Sequence, residues 1–427
     1  MNTTLNRRSF TLPDVPAFKK KMLNWLRPFS IFCYLDNNGY ELPPHRVDCL
    51  VGVGASDFIE GDDISEATPF FQKSRPLFGH LAYEAAHGLH RLRLTKTDKI
   101  GFPLFYFFVP QIILEIKQAI LTIYADEPQT IFDDIVNQQS PPIEESYRKS
   151  IEPKALLSKE EYIKKIQLLQ EHILRGDCYE INFCQEFFAE DVVINPFQVF
   201  QKLIKVSPAP FAAFYRLNDK YLLCASPERF LLKQGDKLLS QPMKGTIRRE
   251  TSSLPKDEAL KTALRQSAKD QAENVMIVDL VRNDLTRVCK SDSVKADEIF
   301  GIQTFPQVHQ MVSTISGEIK EGISFPQIIE ATFPMGSMTG APKHRVMRLI
   351  DEYEPSARGI FSGSVGYIKP DGDFDFAVVI RSLMYNASNK YLSYQVGSGI
   401  TFYSDAEKEW EECLLKGEGI RKALNRG

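Results

Sequence analysis

Two pairs of acidic residues, each spaced three positions apart, lie on stretches whose apolar periodicity predicts helices. Asp270 and Glu273 form the first pair, and Glu409 and Glu412 form the second, with Lys416 one turn further along. Residues three apart share one face of a helix. If the two helices converge, their carboxylates make an oxygen-rich site suited to a hard cation such as Mg²⁺. Two solvated helix faces are the alternative, because acidic residues are common on surfaces.

A glutamate and a lysine stand where prolines and a glycine restrict the backbone. Glu228 lies in the Ser-Pro-Glu segment that begins at Ser226, and Lys244 lies in Pro-Met-Lys-Gly-Thr. A lysine desolvated in a pocket can lose its proton and become a nucleophile, and a neighbouring carboxyl can act as a general acid. A surface salt bridge at the end of a hairpin is the alternative.

Two segments are rich in glycine. Residues 335–343 read MGSMTGAPK, which lacks the GxxxxGK[ST] spacing of a phosphate loop. The second segment, Gly397-Ser398-Gly399, follows a predicted strand. Its backbone amides could bind a carboxylate, with Arg381 supplying a bidentate guanidinium. An ordinary strand-to-helix turn is the alternative.

The elements that must position these residues follow from periodicity and turn signals. A helix is predicted from Lys159 to Gly176, because Ser158 and Glu161 have the spacing of a capping box. Further helical stretches are predicted over 256–285 and 404–424. Strands are predicted in hairpin clusters over 211–217, 221–224, 230–233, 237–240, 364–368, 374–380 and 391–396. Hairpin clusters separated by long helices predict large mixed or antiparallel sheets.

The chain divides into two regions that differ in how clearly their apolar residues repeat. Residues 1–150 mix short apolar runs with turns, whereas residues 158–423 carry the sharper patterns. The stretch from Asp133 to Ser158 is rich in Gln, Ser and Pro, which favours an exposed connection.

Composition excludes several classes of protein. The chain has 427 residues, of which 43% are hydrophobic and 25% charged, so it is not a disordered chain. Its net charge of −3 and the lack of a basic stripe argue against a nucleic-acid partner. The most apolar run, residues 101–114, contains two prolines and is too short for a membrane helix. Seven scattered cysteines and no signal-peptide pattern predict a reduced, cytoplasmic protein.

Taken together, these segments resemble the chorismate-utilising enzymes, the family of anthranilate synthase component I. The resemblance covers residues 158 to 423 and extends more loosely to PLFGHLAYE in the N-terminal third. The matching stretches occur in the family's order: GDCYEINF, SPERF, PMKGT, DQAENVMIVDLVRNDL, HQMVS, FPMGSMTGAPK, GYI, VIRS, GSGI and EKEWEECLLKG.

The resemblance implies a fold and a set of site residues. The fold is an α/β (α+β) sandwich of two mostly antiparallel sheets with outer helices, and a Mg²⁺ site lies between the sheets. Glu273 and Glu412 would hold the metal directly, and Asp270 and Glu409 would act through water or close by. The groups expected to bind the substrate or to lie near its ring are Ser226, Gly245, Thr246, His309, Tyr367, Arg381, Gly397, Ser398, Gly399 and Lys416.

Within the family, Lys244 separates the branches. Anthranilate synthases typically carry alanine at this position (PIAGT), whereas aminodeoxychorismate synthases carry lysine (PIKGT). The resemblance therefore implies that Lys244 attacks C2 of chorismate while the C4 hydroxyl departs with help from Glu228. Ammonia then adds at C4 and expels the lysine. Anthranilate synthase component I is the alternative enzyme, and a catalytically silent partner of an amidotransferase is the alternative outside catalysis.

Glu180 departs from the family pattern. Amino-transferring members usually carry glutamine there (YQVN) and water-adding members carry a lysine, whereas this chain reads YEIN. The absence of lysine argues against isochorismate or salicylate synthesis. A carboxylate at this position could steer ammonium or form a structural hydrogen bond.

The resemblance also implies a partner. No glutaminase segment with a cysteine nucleophile is recognised, so the ammonia would come from a separate glutamine amidotransferase subunit. The aminated product would then serve the synthesis of 4-aminobenzoate and folate. The LLES motif of tryptophan-inhibited anthranilate synthases is not apparent, and the nearest stretch reads FCYLDNN.

Overall fold

A computed structural model describes residues 5–40, 47–90, 92, 96–139, 151–305 and 308–425. Helices begin where polar side chains cap free backbone amides. Ser158 and Glu161 form the predicted capping box, and Asp405 caps the last long helix. The helices of the described residues are α1 (Val15–Trp25), α2 (Thr68–Phe71), α3 (Ala85–Leu89), α4 (Pro128–Val136), α5 (Lys159–Leu174), α6 (Pro196–Val206), α7 (Leu254–Gln266), α8 (Ala268–Val288), α9 (Phe325–Thr332), α10 (Lys343–Tyr353), α11 (Ala406–Lys416) and α12 (Glu418–Leu424).

The strands form two sheets, and every pairing between described strands is antiparallel. The strands are β1 (Asn6–Thr11), β2 (Ile31–Asp36), β3 (Cys49–Val53), β4 (Asp57–Gly61), β5 (Leu77–Leu81), β6 (Phe105–Val109), β7 (Ile112–Lys117), β8 (Ile120–Ala125), β9 (Lys154–Ala155), β10 (Glu180–Ala189), β11 (Phe211–Leu217), β12 (Lys220–Ser226), β13 (Arg229–Gln234), β14 (Lys237–Gln241), β15 (Met243–Arg248), β16 (Lys295–Thr304), β17 (Val308–Glu318), β18 (Gly340–Ala341), β19 (Ser364–Ile368), β20 (Phe374–Val378), β21 (Ser382–Asn386) and β22 (Tyr391–Ile400).

The larger sheet has 12 strands in the order β1-β8-β7-β3-β2-β11-β12-β21-β22-β10-β18, with β9 beside β10. The smaller sheet has 10 strands in the order β15-β17-β14-β13-β20-β19-β5-β6-β4, with β16 beside β17. The predicted sandwich of two antiparallel sheets with outer helices is confirmed.

The two sequence regions share both sheets. In the larger sheet β2 pairs with β11, and in the smaller sheet β5 pairs with β19. Strands from residues 1–150 therefore extend the sheets that the later region builds. Of the connection predicted over Asp133 to Ser158, residues 140–150 lie outside the described part of the chain.

Two apolar cores hold these layers together. One lies between the sheets, where Tyr215 of the larger sheet and Phe376 of the smaller sheet are almost completely buried. The other lies between the larger sheet and its covering helices, where Tyr162 of α5 and Phe200 of α6 are buried. Burial of such aromatic side chains is the dominant favourable contribution to folding.

Three local predictions need correction. The helical stretch predicted over 256–285 is two helices, because the chain is extended at Ser267 between α7 and α8. The final helix is likewise divided at Gly417. The Gly397–Gly399 segment is part of β22 and pairs with β10, so it is not a strand-to-helix turn. Across the described ranges, none of the helices has the length and apolar character needed to traverse a bilayer.

Candidate active site

Lys244 and Glu180 meet where the two sheets approach each other. Lys244 lies on β15 of the smaller sheet, and Glu180 begins β10 of the larger one. Lys244 Nζ donates to Glu180 Oε1 at 2.6 Å; the Glu180 side chain is buried, and that of Lys244 is 11% exposed. Burial lowers the pKa of Lys244, but the carboxylates of Glu180, Glu273 and Glu228 outweigh it and hold that pKa well above its ordinary value.

Glycines allow this pair to pack closely against the backbone. A Cβ added to Gly399 would lie 2.7 Å from Glu180 Oε1 and 2.9 Å from Lys244 Nζ, so a side chain there would displace the pair. Gly245, next to Lys244, has φ +86° and lies against Asp270, whose Oδ1 would be 2.9 Å from an added Cβ. A larger residue at Gly245 would suffer both backbone strain and collision.

Glu228 lies in the turn between β12 and β13. The Ser226 hydroxyl accepts a hydrogen bond from the Glu228 backbone N–H at 3.2 Å and so shapes the turn. The Ser337 hydroxyl donates to Glu228 Oε1 at 2.6 Å. Burial raises the pKa of Glu228 to about 7, against the smaller lowering effects of Ser337 and Lys244. A carboxyl with this pKa can donate a proton near neutral pH.

The first acidic pair lies at the beginning of α8. Asp270 is in the first turn, beneath Gly245, and Glu273 follows one turn later. Burial raises the pKa of Glu273 to about 7, although Lys244 lowers it. A second cation nearby is Lys269, whose Nζ is 3.9 Å from Glu273 Oε1. Glu273 therefore belongs to the electrostatic environment of Lys244.

The second acidic pair lies on α11. Lys416 Nζ donates to Glu412 Oε1 at 2.6 Å and to the Gly397 carbonyl at 2.7 Å, which ties α11 to β22. Burial acts to raise the pKa of Glu412, but Lys416 and two further lysines lower it overall. Glu409 is buried, and both burial and Glu412 raise its pKa.

Arg381 is a cation for which the described residues supply no side-chain partner. Its φ is +52°, an unusual backbone conformation for a residue with a side chain. Burial lowers the pKa of Arg381, with an opposing contribution from Glu412. The guanidinium makes no hydrogen bond to any residue that the structure describes. A strained, unpaired arginine of this kind suits an anionic ligand.

The four carboxylates expected to hold Mg²⁺ are those of Asp270, Glu273, Glu409 and Glu412. Glu273 and Glu409 carry raised pKa values because burial penalises their charge, and a bound cation would relieve that penalty. All four candidates supply carboxylate oxygens, the ligands that Mg²⁺ prefers. Within the described ranges, however, no three His, Cys, Asp or Glu side chains converge on one point. The residues fit the chemistry of the ion but do not form a closed metal cage by themselves.

The side chains of Tyr367 and Ser398 lie away from the pair formed by Lys244 and Glu180. Tyr367 lies on β19 and lines a separate cavity between the sheets, beside Asp36 and Phe211. Ser398 lies in β22 between the two glycines, so its side chain points to the opposite face. There its Oγ is 3.7 Å from Cys413 Sγ. The resemblance suggested Tyr367, and the Ser398 segment was expected to bind through its backbone amides, so the binding role of both positions stays a prediction.

His309 lies on β17, the strand beside the one that carries Lys244, and Thr246 lies two residues after Lys244 on β15 itself. His309 is fully buried on β17, with Nε2 2.9 Å from Asp257 Oδ1 and Nδ1 3.0 Å from Thr304 Oγ1. Both ring nitrogens therefore have protein partners. Thr246 is exposed and accepts a hydrogen bond from Gln310 Nε2 at 3.4 Å.

Ser337 is a site residue that sequence reasoning missed. It lies in the glycine-rich segment that fails as a phosphate loop, and its hydroxyl reaches Glu228. Only the position of this segment among the family-like stretches could have drawn attention to it, because a serine on its own carries no chemical pattern.

Comparison with known proteins agrees with this geometry. The sequence profile of the chorismate binding enzymes matches residues 53–422. The chain belongs to this family. It is 40% identical to aminodeoxychorismate synthase component 1 of Escherichia coli over 273 residues, which are 63% of this chain and 59% of that protein. The corresponding protein of Klebsiella aerogenes is 39% identical over 65% of this chain and 61% of its own length. The chain thus spans about three fifths of these relatives.

A longer alignment reaches an anthranilate synthase component I-like protein of Synechocystis, with 31% identity over 81% of this chain and 72% of that protein. Solved structures show the same fold. Anthranilate synthase component I from Streptococcus pneumoniae superposes with a TM-score of 0.74 at 23% identity, covering 99% of this chain and 93% of that one. The menaquinone-specific isochorismate synthase of Escherichia coli gives 0.76 at 16% identity, over 99% and 95% of the two chains.

Proposed function

We propose that this protein is the synthase component of an aminodeoxychorismate synthase, which aminates chorismate at C4. The observation that carries the proposal is a largely buried lysine, Lys244, beside a carboxyl whose pKa is about 7, Glu228. Glu228 supplies a proton donor, and Lys244, an ammonium in the resting site, supplies the nitrogen nucleophile once it has given up a proton. The relatives named aminodeoxychorismate synthase support the same reading.

In the proposed reaction, Lys244 first loses a proton, for which Glu180 Oε1 at 2.6 Å is the nearest acceptor. The Nζ lone pair then forms a bond to C2 of chorismate, and the two ring double bonds each shift one position towards C4. The C4–O bond breaks, and the departing hydroxyl takes the proton of Glu228 and leaves as water. Splitting one difficult displacement into two steps is the advantage of covalent catalysis.

In the second half of the reaction, ammonia attacks C4 and the double bonds shift back. The C2–N bond breaks, and its electron pair returns to Lys244 Nζ. The product is 4-amino-4-deoxychorismate, a precursor of 4-aminobenzoate and folate. Arg381 and Lys416 are the cations in place to bind the substrate's carboxylates, with the backbone of Gly397 and Gly399 beside them.

Mg²⁺ would be held by Glu273 and Glu412, with Asp270 and Glu409 close by. When bound, it would neutralise a carboxylate of the dianionic substrate and let that substrate approach acidic helices. Because the chain's carboxylates do not close a cage, part of the coordination would come from substrate and water.

The ammonia would come from a separate glutamine amidotransferase subunit, as the name "component 1" of the relatives suggests. All seven cysteines are buried free thiols, which supports a reduced, cytoplasmic setting and argues against a cysteine nucleophile for glutamine hydrolysis in this chain.

Product analysis tests the proposal. The purified chain is incubated with chorismate, Mg²⁺ and ammonium, and products are separated by chromatography with mass detection. We expect aminodeoxychorismate, which becomes 4-aminobenzoate only after a lyase is added. Anthranilate and pyruvate without a lyase would make the protein an anthranilate synthase instead. Absence of any chorismate-dependent product would favour a silent partner of an amidotransferase.

A further inference from the structure

Glu180 has one oxygen with no hydrogen-bond partner among the residues that the structure describes. The side chain is almost completely buried, and Oε1 accepts the hydrogen bond from Lys244. Its other oxygen, Oε2, is also shielded from solvent and accepts no hydrogen bond. A buried carboxylate oxygen without a donor is costly, so its persistence indicates an external donor.

The charges around Glu180 specify the kind of donor. Lys244 lies within electrostatic range of three carboxylates, those of Glu180, Glu228 and Glu273, and it is the ammonium group that contacts Glu180. A second positive charge is therefore favourable at Oε2. A divalent ion there would be repelled by Lys244 about twice as strongly as a monovalent one.

We propose that Glu180 Oε2 is the binding point for the nitrogen nucleophile, held as ammonium beside Lys244 before substrate enters. This inference rests on the proposed function, because it assigns the position from which the second amine is supplied. Glu180 then bridges two ammonium groups, one on each oxygen. Glu180 binds and orients the ammonium and forms no bond to the substrate's carbon atoms. Before ammonia attacks C4, the ammonium gives one proton to the Glu228 carboxylate, which has lost its own proton to the departing water.

The first test uses Rb⁺, which is close to ammonium in size and charge and is visible by anomalous scattering. Crystals of the whole chain are soaked in rubidium chloride and, separately, in manganese chloride as a substitute for Mg²⁺. We expect a Rb⁺ peak in contact with Glu180 Oε2 that is lost in Glu180→Gln, whose amide nitrogen cannot accept a hydrogen bond. The peak should persist in Glu186→Gln, which changes a buried carboxylate further along β10 that accepts from Tyr391.

The second test uses ammonium-dependent kinetics with the same two variants. Glu180→Gln should raise the KM for ammonium about tenfold or more, the effect of losing one hydrogen bond between charged groups. The KM for chorismate should change less than threefold, and Glu180→Asp should recover part of the ammonium affinity. Glu186→Gln should leave both KM values near those of the wild type.

The outcomes separate this inference from the proposed function. A missing Rb⁺ peak, a Mn²⁺ peak at Glu180, or an unchanged KM for ammonium in a folded Glu180→Gln protein would overturn the ammonium site. If the wild type makes no aminated product, the proposed function fails, and the Rb⁺ and Mn²⁺ soaks alone decide whether Glu180 binds a monovalent cation.

Discussion

Two buried ion pairs in this molecule have the same length and opposite character. Lys244–Glu180 and Arg358–Glu354 are both 2.6 Å apart and both lie beneath the surface. The Arg358 guanidinium donates to both Glu354 oxygens, to two backbone carbonyls and to the Ser362 hydroxyl. Its donors and the carboxylate are therefore fully used by the protein itself.

The Lys244 pair is incomplete by comparison. Glu180 keeps one oxygen unpaired, and further carboxylates crowd the same ammonium group. A fully hydrogen-bonded buried ion pair fixes the fold, whereas an incomplete one retains binding capacity for a ligand. Completeness of hydrogen bonding, rather than burial or distance, separates the structural pair from the functional one.

The largest expected effect is on stability at the structural pair. Arg358→Ala leaves the Glu354 carboxylate buried and unpaired, so we expect a loss of about 3–5 kcal/mol in the free energy of unfolding. Urea denaturation measures it. As a control, Arg282→Ala removes an exposed pair with Asp279 and should cost less than about 1 kcal/mol. Similar losses in the two variants would break the comparison.

Lys244→Ala should have a large effect on activity and a smaller effect on stability. We expect the rate of chorismate amination to fall at least about a hundredfold, because the nucleophile is removed. The free energy of unfolding should fall less than in Arg358→Ala, since one hydrogen bond to the protein is lost rather than five. Lys237→Ala, an exposed lysine on β14, serves as the control. Unchanged amination kinetics in Lys244→Ala would remove the covalent step.

The pH dependence should follow Glu228. Its pKa is raised from 4.5 to about 7, and a general acid must hold its proton, so the wild-type rate should fall as pH rises through about 7. Glu228→Gln should be roughly tenfold or more slower at pH 6 and should lack that decline. A pH–rate profile measures both. The same decline in Glu228→Gln would assign it to another group.

The raised pKa of Glu228 should also make the free energy of unfolding depend on pH. Because the folded state binds the Glu228 proton more tightly than the unfolded state, its stabilising effect is complete below pH 4.5 and is lost as pH rises towards 7. Between pH 5 and 8 the wild type should lose about 1–3 kcal/mol more stability than Glu228→Gln. Parallel urea curves for the two proteins would contradict the raised pKa.

The smallest effect concerns the metal. Glu412→Ala should raise the Mg²⁺ concentration for half-maximal activity at least about tenfold. Glu411→Ala changes the exposed neighbour on the same helix and should leave the Mg²⁺ titration unchanged. If Glu412→Ala keeps wild-type Mg²⁺ activation, the assignment of Glu412 as a metal ligand is wrong.

The fold was largely predictable because its signals are local. Ser158 and Glu161 predicted the beginning of α5, and the strand predicted over 211–217 is β11. The break at Ser267 was not predicted, since the apolar spacing continues across it. The pairing of early strands with late ones, such as β5 with β19, depends on contacts distant in sequence that periodicity does not encode.

The sequence could predict which chemical groups the site contains, but it could not predict how their side chains are placed. Lys244 contacts Glu180 and lies within electrostatic range of Glu228, and the catalytic roles that the resemblance implied for Lys244 and Glu228 stay predictions. The motif around Tyr367 could not show which cavity its strand faces, and the structure places Tyr367 in the lining of a cavity beside Asp36 and Phe211. The unpaired oxygen of Glu180 is a property of packing, so the sequence could show only that a carboxylate was present.

The most direct measurement of the central claim is the mass of the protein during the first half of the reaction. The wild-type chain is mixed with chorismate and Mg²⁺ without ammonium, quenched, and analysed intact and after proteolysis. We predict an increase equal to chorismate less one water on the peptide containing Lys244, discharged when ammonium is added and absent in Lys244→Ala. Full amination activity with no such adduct, or an adduct on another residue, would contradict the assignment of Lys244 as nucleophile.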